Sequence, residues 1–152
     1  MEDYEFDDME YRYFSSYSDN HKKLTATVEK TLSSIKQYII VHLSAKFAIK
    51  EISTGDNFTR FKFFNHDILV TFEINVENNF GIMEWHNVNQ DFFRPDKANA
   101  NLIFKKKFND SGQVLDVPNG APRHDEMIWQ RKSILDYLDD FCKEVNKIDP
   151  LL

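Results

Sequence analysis

Cysteine, glycine and proline are all scarce in this chain, at one, four and four among 152 residues. The lone thiol, Cys142, closes no internal disulfide, and it falls among apolar positions at helical spacing rather than beside a His or Lys that would hold a thiolate. A reducing compartment is expected. Few glycines and prolines favour long regular elements joined by few tight turns. They also leave no G-x-G-x-x-G fingerprint, no phosphate-cradling P-loop and no G-x-S-x-G elbow, and no C-x-x-C occurs. The longest uninterrupted apolar run, Tyr38 to Val41, is far shorter than the roughly 18–20 residues that cross a bilayer. The N-terminus is acidic from its second residue and lacks the basic and apolar regions of a secretory signal. These absences predict a cytoplasmic protein that neither crosses nor binds a membrane.

Phenylalanine is abundant, with fourteen against two tryptophans, and hydrophobic residues make up 41% of the chain. At this length such a content builds one packed core. The net charge of −6 is unevenly placed. Glu2, Asp3, Glu5, Asp7, Asp8, Glu10 and Asp19 face only Arg12 within the first twenty residues, which therefore carry the whole surplus. The remainder is neutral.

Apolar side chains recur at Leu24, Val28, Leu32, Ile35, Ile39, Leu43 and Phe47, the stripe of an amphipathic helix that Asp19 or Asn20 could cap. The period then changes from 3.6 to 2. In DILVTFEINVEN, Ile68, Val70, Phe72, Ile74 and Val76 alternate with Thr71, Glu73, Asn75 and Glu77, so one face is core and one is wet. FAIKEIS and TRFKFFN precede it, FGIMEWHN follows, and NLIFKKKFN with QVLDV adds a hairpin. The stretch from Val88 to Ala100 breaks the alternation, and PNGAPRHDE reads as a loop. A second helix follows, with Asp125 as its expected cap, an apolar stripe through Ile128, Leu135, Leu138, Phe141, Val145 and Ile148, and Pro150 beyond its end. The pattern predicts an α+β fold: an antiparallel sheet of five to six strands, a meander plus a hairpin, with both helices on one face. The expected division is an acidic segment over residues 1–18 and a single domain over 19–150.

Catalytic and metal-binding patterns are weak. Glu84 and His86, two apart in a strand, share a face but lack a third ligand at a recognisable spacing. His66-Asp67 and His124-Asp125 resemble the HD pair of metal-dependent phosphohydrolases. That family places its pair among helices with distant further ligands, whereas here Asp67 reads as a turn residue and Asp125 as a cap. His42, close to the helical stripe, reads as a hydrogen-bonded interior histidine. Lys105-Lys106-Lys107 between two phenylalanines could track phosphates, yet strand lysines also block edge-to-edge pairing and the net charge repels a polyanion. No catalytic residue, metal, cofactor or direct nucleic-acid contact is therefore expected.

What remains is the opening stretch, where acid and six aromatic rings alternate. Phe6, Met9, Tyr13 and Tyr17 could lie as a short amphipathic helix on the domain, or the segment could order on a basic partner, or it could be a solvated tail. Aromatic rings suit the first two. Rings bury large areas at low rotamer cost and carboxylates speed encounter with a positive patch, so acid plus aromatic is a recognition surface. Asp3, Tyr4, Glu5, Phe6, Asp7, Asp8, Glu10, Tyr11, Tyr13 and Phe14 are the expected partner-binding residues. By physical type the protein is similar to immunity proteins and phage-encoded inhibitors, which implies a bacterial or phage setting and a partner protein with a basic surface. The architecture also resembles secretion-type chaperones, which implies a homodimer. A small-ligand carrier or enzyme with a cavity near Trp85 and His86 is the third expectation.

Overall fold

The computed structural model describes residues 8–88, 100–115 and 122–148. Helix α1 (Asp8–Ile35) passes into a π-helical segment (Lys36–Val41) and a 3-10 turn (Leu43–Ala45). Seven strands follow: β1 (Ile49–Thr54), β2 (Phe58–Phe63), β3 (His66–Asn75), β4 (Phe80–Val88), β5 (Ala100–Phe108), β6 (Gln113–Leu115) and β7 (Pro122–Met127). Helix α2 (Arg131–Ile148) ends the described chain. The strands form one sheet in chain order, and every neighbouring pair is antiparallel. This is the expected α+β architecture with one or two more strands. A meander needs only short connections, and each strand pairs with the one made just before it.

Cross-strand partners share a face, so the register sorts every side chain. Phe61 pairs with Ile68, Ile68 with Asn87, Val70 with Trp85, Phe72 with Met83, and Trp85 with Phe104. Phe61, Ile68, Val70, Phe72, Met83, Trp85, Phe108 and Val114 join one buried cluster with Leu24, Val28, Ile35 and Ile39 from the N-terminal helix and Ile134, Tyr137, Leu138, Phe141 and Val145 from α2. Both helices therefore cover the same face. Trp85 is central: it stacks on Phe104 at 5.7 Å and 15°, and the rings of Phe61, Tyr137 and Phe141 surround it.

The N-terminal helix is longer at its start and less regular at its end than the stripe suggests. It begins by Asp8, so neither Asp19 nor Asn20 is a cap. Asn20 instead donates from Nδ2 to the Val76 carbonyl at 2.8 Å, fastening the helix to the β3–β4 turn. After Ile35 the ladder widens, with the His42 N–H reaching the Gln37 carbonyl at 3.1 Å. The wider turn buries Ile39 but leaves His42 exposed, contrary to its expected place in the interior.

PNGAPRHDE is the second departure. Residues from Pro122 form β7, whose pairing with β6 supplies what low intrinsic strand propensity does not. Asp125 lies in that strand and caps nothing; α2 starts six residues later, with the Ile134 N–H on the Gln130 carbonyl at 3.0 Å. Ile128 is buried in the intervening turn rather than on the helix.

That turn and the β5–β6 turn lock onto α1. Thr27 Oγ1 donates to the Asp110 carbonyl at 2.5 Å, the Trp129 indole N–H donates to the Ser111 carbonyl at 2.8 Å, and Lys30 Nζ sits 3.5 Å from the Trp129 ring centroid. Gly112, at φ 91°, lies directly under Trp129, where a Cβ would collide with the indole. Gly112→Ala is expected to lower unfolding free energy by about 1–3 kcal/mol, read from a denaturant titration. An unchanged midpoint would show that the turn is not held by this contact.

Candidate functional site

Asp67, Glu84, His86 and Lys105, four of the residues singled out for chemistry, fall on the sheet face that the helices do not cover. Asp67, Leu69, Thr71 and Glu73 of β3 face that way, with Arg60 and Lys62 of β2, Glu84, His86 and Val88 of β4, and Lys105 of β5. Its centre is not wet. Arg60, Asp67, Leu69, Thr71, His86 and Val88 are all buried, which departs from the expectation of a solvated face.

Burying polar groups requires pairing, and the pairs here are internal. The Arg60 guanidinium donates twice to Asp67, from Nε at 2.9 Å and Nη2 at 2.6 Å. The hydrogen bond to Asp67 raises the guanidinium's pKa, outweighing the opposing effect of burial. Asp67 is thus neither a turn residue nor a ligand in waiting; it neutralises a buried cation. His86 Nε2 lies 3.4 Å from Thr71 Oγ1 and 3.9 Å from Glu84 Oε1. Glu84 and His86 do share a face, as their spacing requires, but within a packed polar row. Trp85 points to the opposite face, into its ring cluster, so it and His86 do not line a common space.

His66 stands at the start of β3 with its ring edge-on to Phe141, and burial lowers its pKa. His124 and Asp125 belong to β7, and their side chains lie outside the described ones. Burial, with a smaller contribution from Asp139, pushes the Cys142 thiol up to about 11. Such a thiol is protonated at neutral pH and a poor nucleophile. Among the described residues no three His, Cys, Asp or Glu side chains come together as a metal site would need. A cleft of about 380 Å³ lies between Glu29, Leu32, Ser33 and Lys36 of the N-terminal helix and the β1–β2 turn from Thr54 to Thr59. None of the groups singled out in the sequence lines it. No described helix is long and apolar enough to cross a membrane.

The start of α1 has a different character. From Arg12 to Lys23 no described side chain is fully buried, and the first that is buried is Leu24. From Arg12 to Leu24 the helix rises about 18 Å at 1.5 Å per residue before its first described side chain is fully buried. Phe14 is 52% exposed there, edge-on to Tyr17 at 6.5 Å. Asp8 and Glu10 belong to the described N-terminal end of α1. Of the other expected binding residues, Asp3, Tyr4, Glu5, Phe6 and Asp7 lie outside the described residues. Asp8, Glu10, Tyr11 and Tyr13 have described backbone but not described side chains.

No protein-family model, curated protein or solved structure matches the chain. Its function is therefore argued from geometry.

A second exposed aromatic group was not singled out by the sequence. Phe47, Phe63 and Phe64 meet at the other end of the N-terminal helix, with ring centroids 6.3, 6.0 and 4.9 Å apart. They come from the segment before β1 and from the β2–β3 hairpin. Only their wide spacing in sequence hid them.

Two measurements follow from the buried groups. Asp67→Ala strands a buried guanidinium and should cost about 3 kcal/mol or more in a denaturant melt, while Arg60→Met with Asp67→Leu should cost much less. Equal losses would remove the ion pair as the reason for Asp67. Cys142 should resist alkylation near pH 7 in the native protein and react once unfolded; rapid native labelling would contradict its burial.

Proposed function

We propose that the protein is a non-catalytic binding module that engages a basic surface of another protein through the acidic, aromatic start of α1, as an inhibitor or immunity-type partner would. The observation that carries this reading is the exposure of Phe14 on a helical stretch that precedes the first buried side chain of its own helix. Phe14, 52% exposed and edge-on to Tyr17 on this acidic stretch, offers ring area to an interface. Ring area supplies the contact energy, and the carboxylates around it steer a cationic partner and fix its orientation.

The remaining chemistry supports a binder over an enzyme. Arg60, Asp67, Thr71 and His86 are engaged with one another inside the sheet, and the one thiol is protonated. A convergent nucleophile, base and oxyanion site is what an enzyme would present instead.

The test uses the full chain. Partners captured by the tagged protein from its native cells are identified, and affinity is then measured for wild type and Phe14→Ala. The truncation should weaken binding by about 1–2 kcal/mol, roughly tenfold, with little change in melting temperature. Neutralising Asp7, Asp8 and Glu10 to Asn, Asn and Gln should mainly slow association and reduce its salt dependence. Unchanged affinity in both variants would remove the helix start as the interface.

A further inference from the structure

The cleft of about 380 Å³ between α1 and the β1–β2 turn is of a size that takes a small molecule, and the proposed interface makes no use of it. Its helical wall is one line of side chains. Ser33 and Lys36 follow Glu29 at spacings of four and seven, with Leu32 beside Ser33, so a carboxylate and an ammonium stand about 10 Å apart along one helix face. Lys36 opens the π-helical segment, a widening of the ladder that recurs at functional sites.

The opposite wall is fixed. In the β1–β2 turn the Gly55 N–H donates to the Phe58 carbonyl at 3.0 Å and the Phe72 N–H donates to the Asn57 carbonyl at 2.9 Å. The Phe58 ring lies so close over Gly55 that a Cβ there would collide with it. Asp56 is therefore carried on a turn whose backbone is set before any ligand arrives.

The hydroxyls of this wall are oriented by the bonds they make. Thr54 Oγ1 donates its one proton to Glu51 Oε1 at 2.7 Å, so in the 3.0 Å contact between Thr54 and Thr59 the Thr59 hydroxyl is the donor. Thr59 is only 2% exposed, and its oxygen keeps lone pairs alone to offer. The side chains of Thr54, Asp56 and Thr59 thus present acceptors to the cleft.

Charges on an exposed helix face are ordinarily satisfied by water, and Glu29 or Lys36 alone would mean no more than that. Here Glu29, Asp56 and Lys36 line one cavity, and among the described residues no hydrogen bond or ion pair engages any of the three. Two carboxylates and a buried acceptor call for cationic N–H donors. One ammonium calls for a carboxylate. Leu32, half-buried between the charges, offers contact to an aliphatic stem.

We infer that this cleft binds a free amino acid with a basic side chain, its two cationic groups held by Glu29, Asp56 and Thr59 and its carboxylate by Lys36. The site is separate from the proposed interface, since Phe14 and the residues around it do not line it.

The test titrates the full-length protein with L-lysine and with L-arginine, using cadaverine and L-glutamate as controls, by calorimetry and by NMR of the backbone amides. One or both basic amino acids should bind saturably at a single site and shift the signals of residues 29–36 and 54–59. Cadaverine, which lacks the carboxylate, should bind more weakly, and L-glutamate should not bind. Asp56→Asn and Lys36→Gln should each weaken binding about tenfold, the scale of one hydrogen bond to a charged group, without lowering the melting temperature. Phe14→Ala should leave this binding unchanged. Absence of saturable binding by either basic amino acid overturns the inference, as does binding that neither charge variant alters, or cadaverine or L-glutamate binding as tightly. A protein that takes up L-lysine in this way and captures no basic partner supports the cleft and removes the proposed function.

Discussion

The burial of one helical stripe against one sheet face positions everything that projects from this molecule. Leu24, Val28, Ile35 and Ile39 meet the face built from Phe61, Ile68, Val70, Phe72, Met83 and Trp85. Each fully buried aliphatic side chain contributes about 1.5–3 kcal/mol, so the four together supply an amount comparable to a domain's whole net stability. From Arg12 to Lys23 no described side chain is completely buried, so the described ones there add little to that sum. The two parts of α1 are thus separable in energy though continuous in backbone. Core truncations should unfold the protein, while changes at the helix start act on whatever it touches.

The helix start needs little packing to stay helical. Nucleation is the costly step in helix formation, and the packed turns after Leu24 have already met it. Extending the ladder toward Asp8 needs only propagation. On that stretch Phe14 is 52% exposed and edge-on to Tyr17, so about half of its ring area is open to a further contact.

Most of the sheet was legible because its strands alternate strictly: a period of 2 from Ile68 to Ile74 leaves no other face for the core. The α1 stripe was legible for the same reason, with a period of 3.6. What was not legible depended on tertiary partners. Asp19 and Asn20 look like caps because short polar side chains favour helix ends, but Asn20 finds the Val76 carbonyl instead. Pro122 to Met127 carries no β-branched residue, and β6 makes it a strand. Leu69 and His86 alternate outward from the helices and yet are buried, which no period can show. The helix start could be read as acidic and aromatic, but the exposure of Phe14 could not. The ring group Phe47, Phe63 and Phe64 comes from the segment before β1 and from the β2–β3 hairpin, so only folding brings it together.

Charge separation along a helix has a trivial source, since acids collect at its positive end and bases at its negative end. The last turn of α1 holds no basic residue, the π-helical segment opens on Lys36, and Lys46, Lys50 and Lys62 lie beyond it on the 3-10 exit and two strands. Lys36 is placed to complement the dipole, whereas Lys50 and Lys62 project from the sheet face that the helices do not cover. Phe64 has a left-handed backbone that would be easier for glycine, and its ring is held edge-on against Phe63 and Phe47. The rings and the strand lysines at this end of the molecule thus lie on different faces of the sheet, the rings beside the core and the lysines beside the Arg60–Asp67 pair.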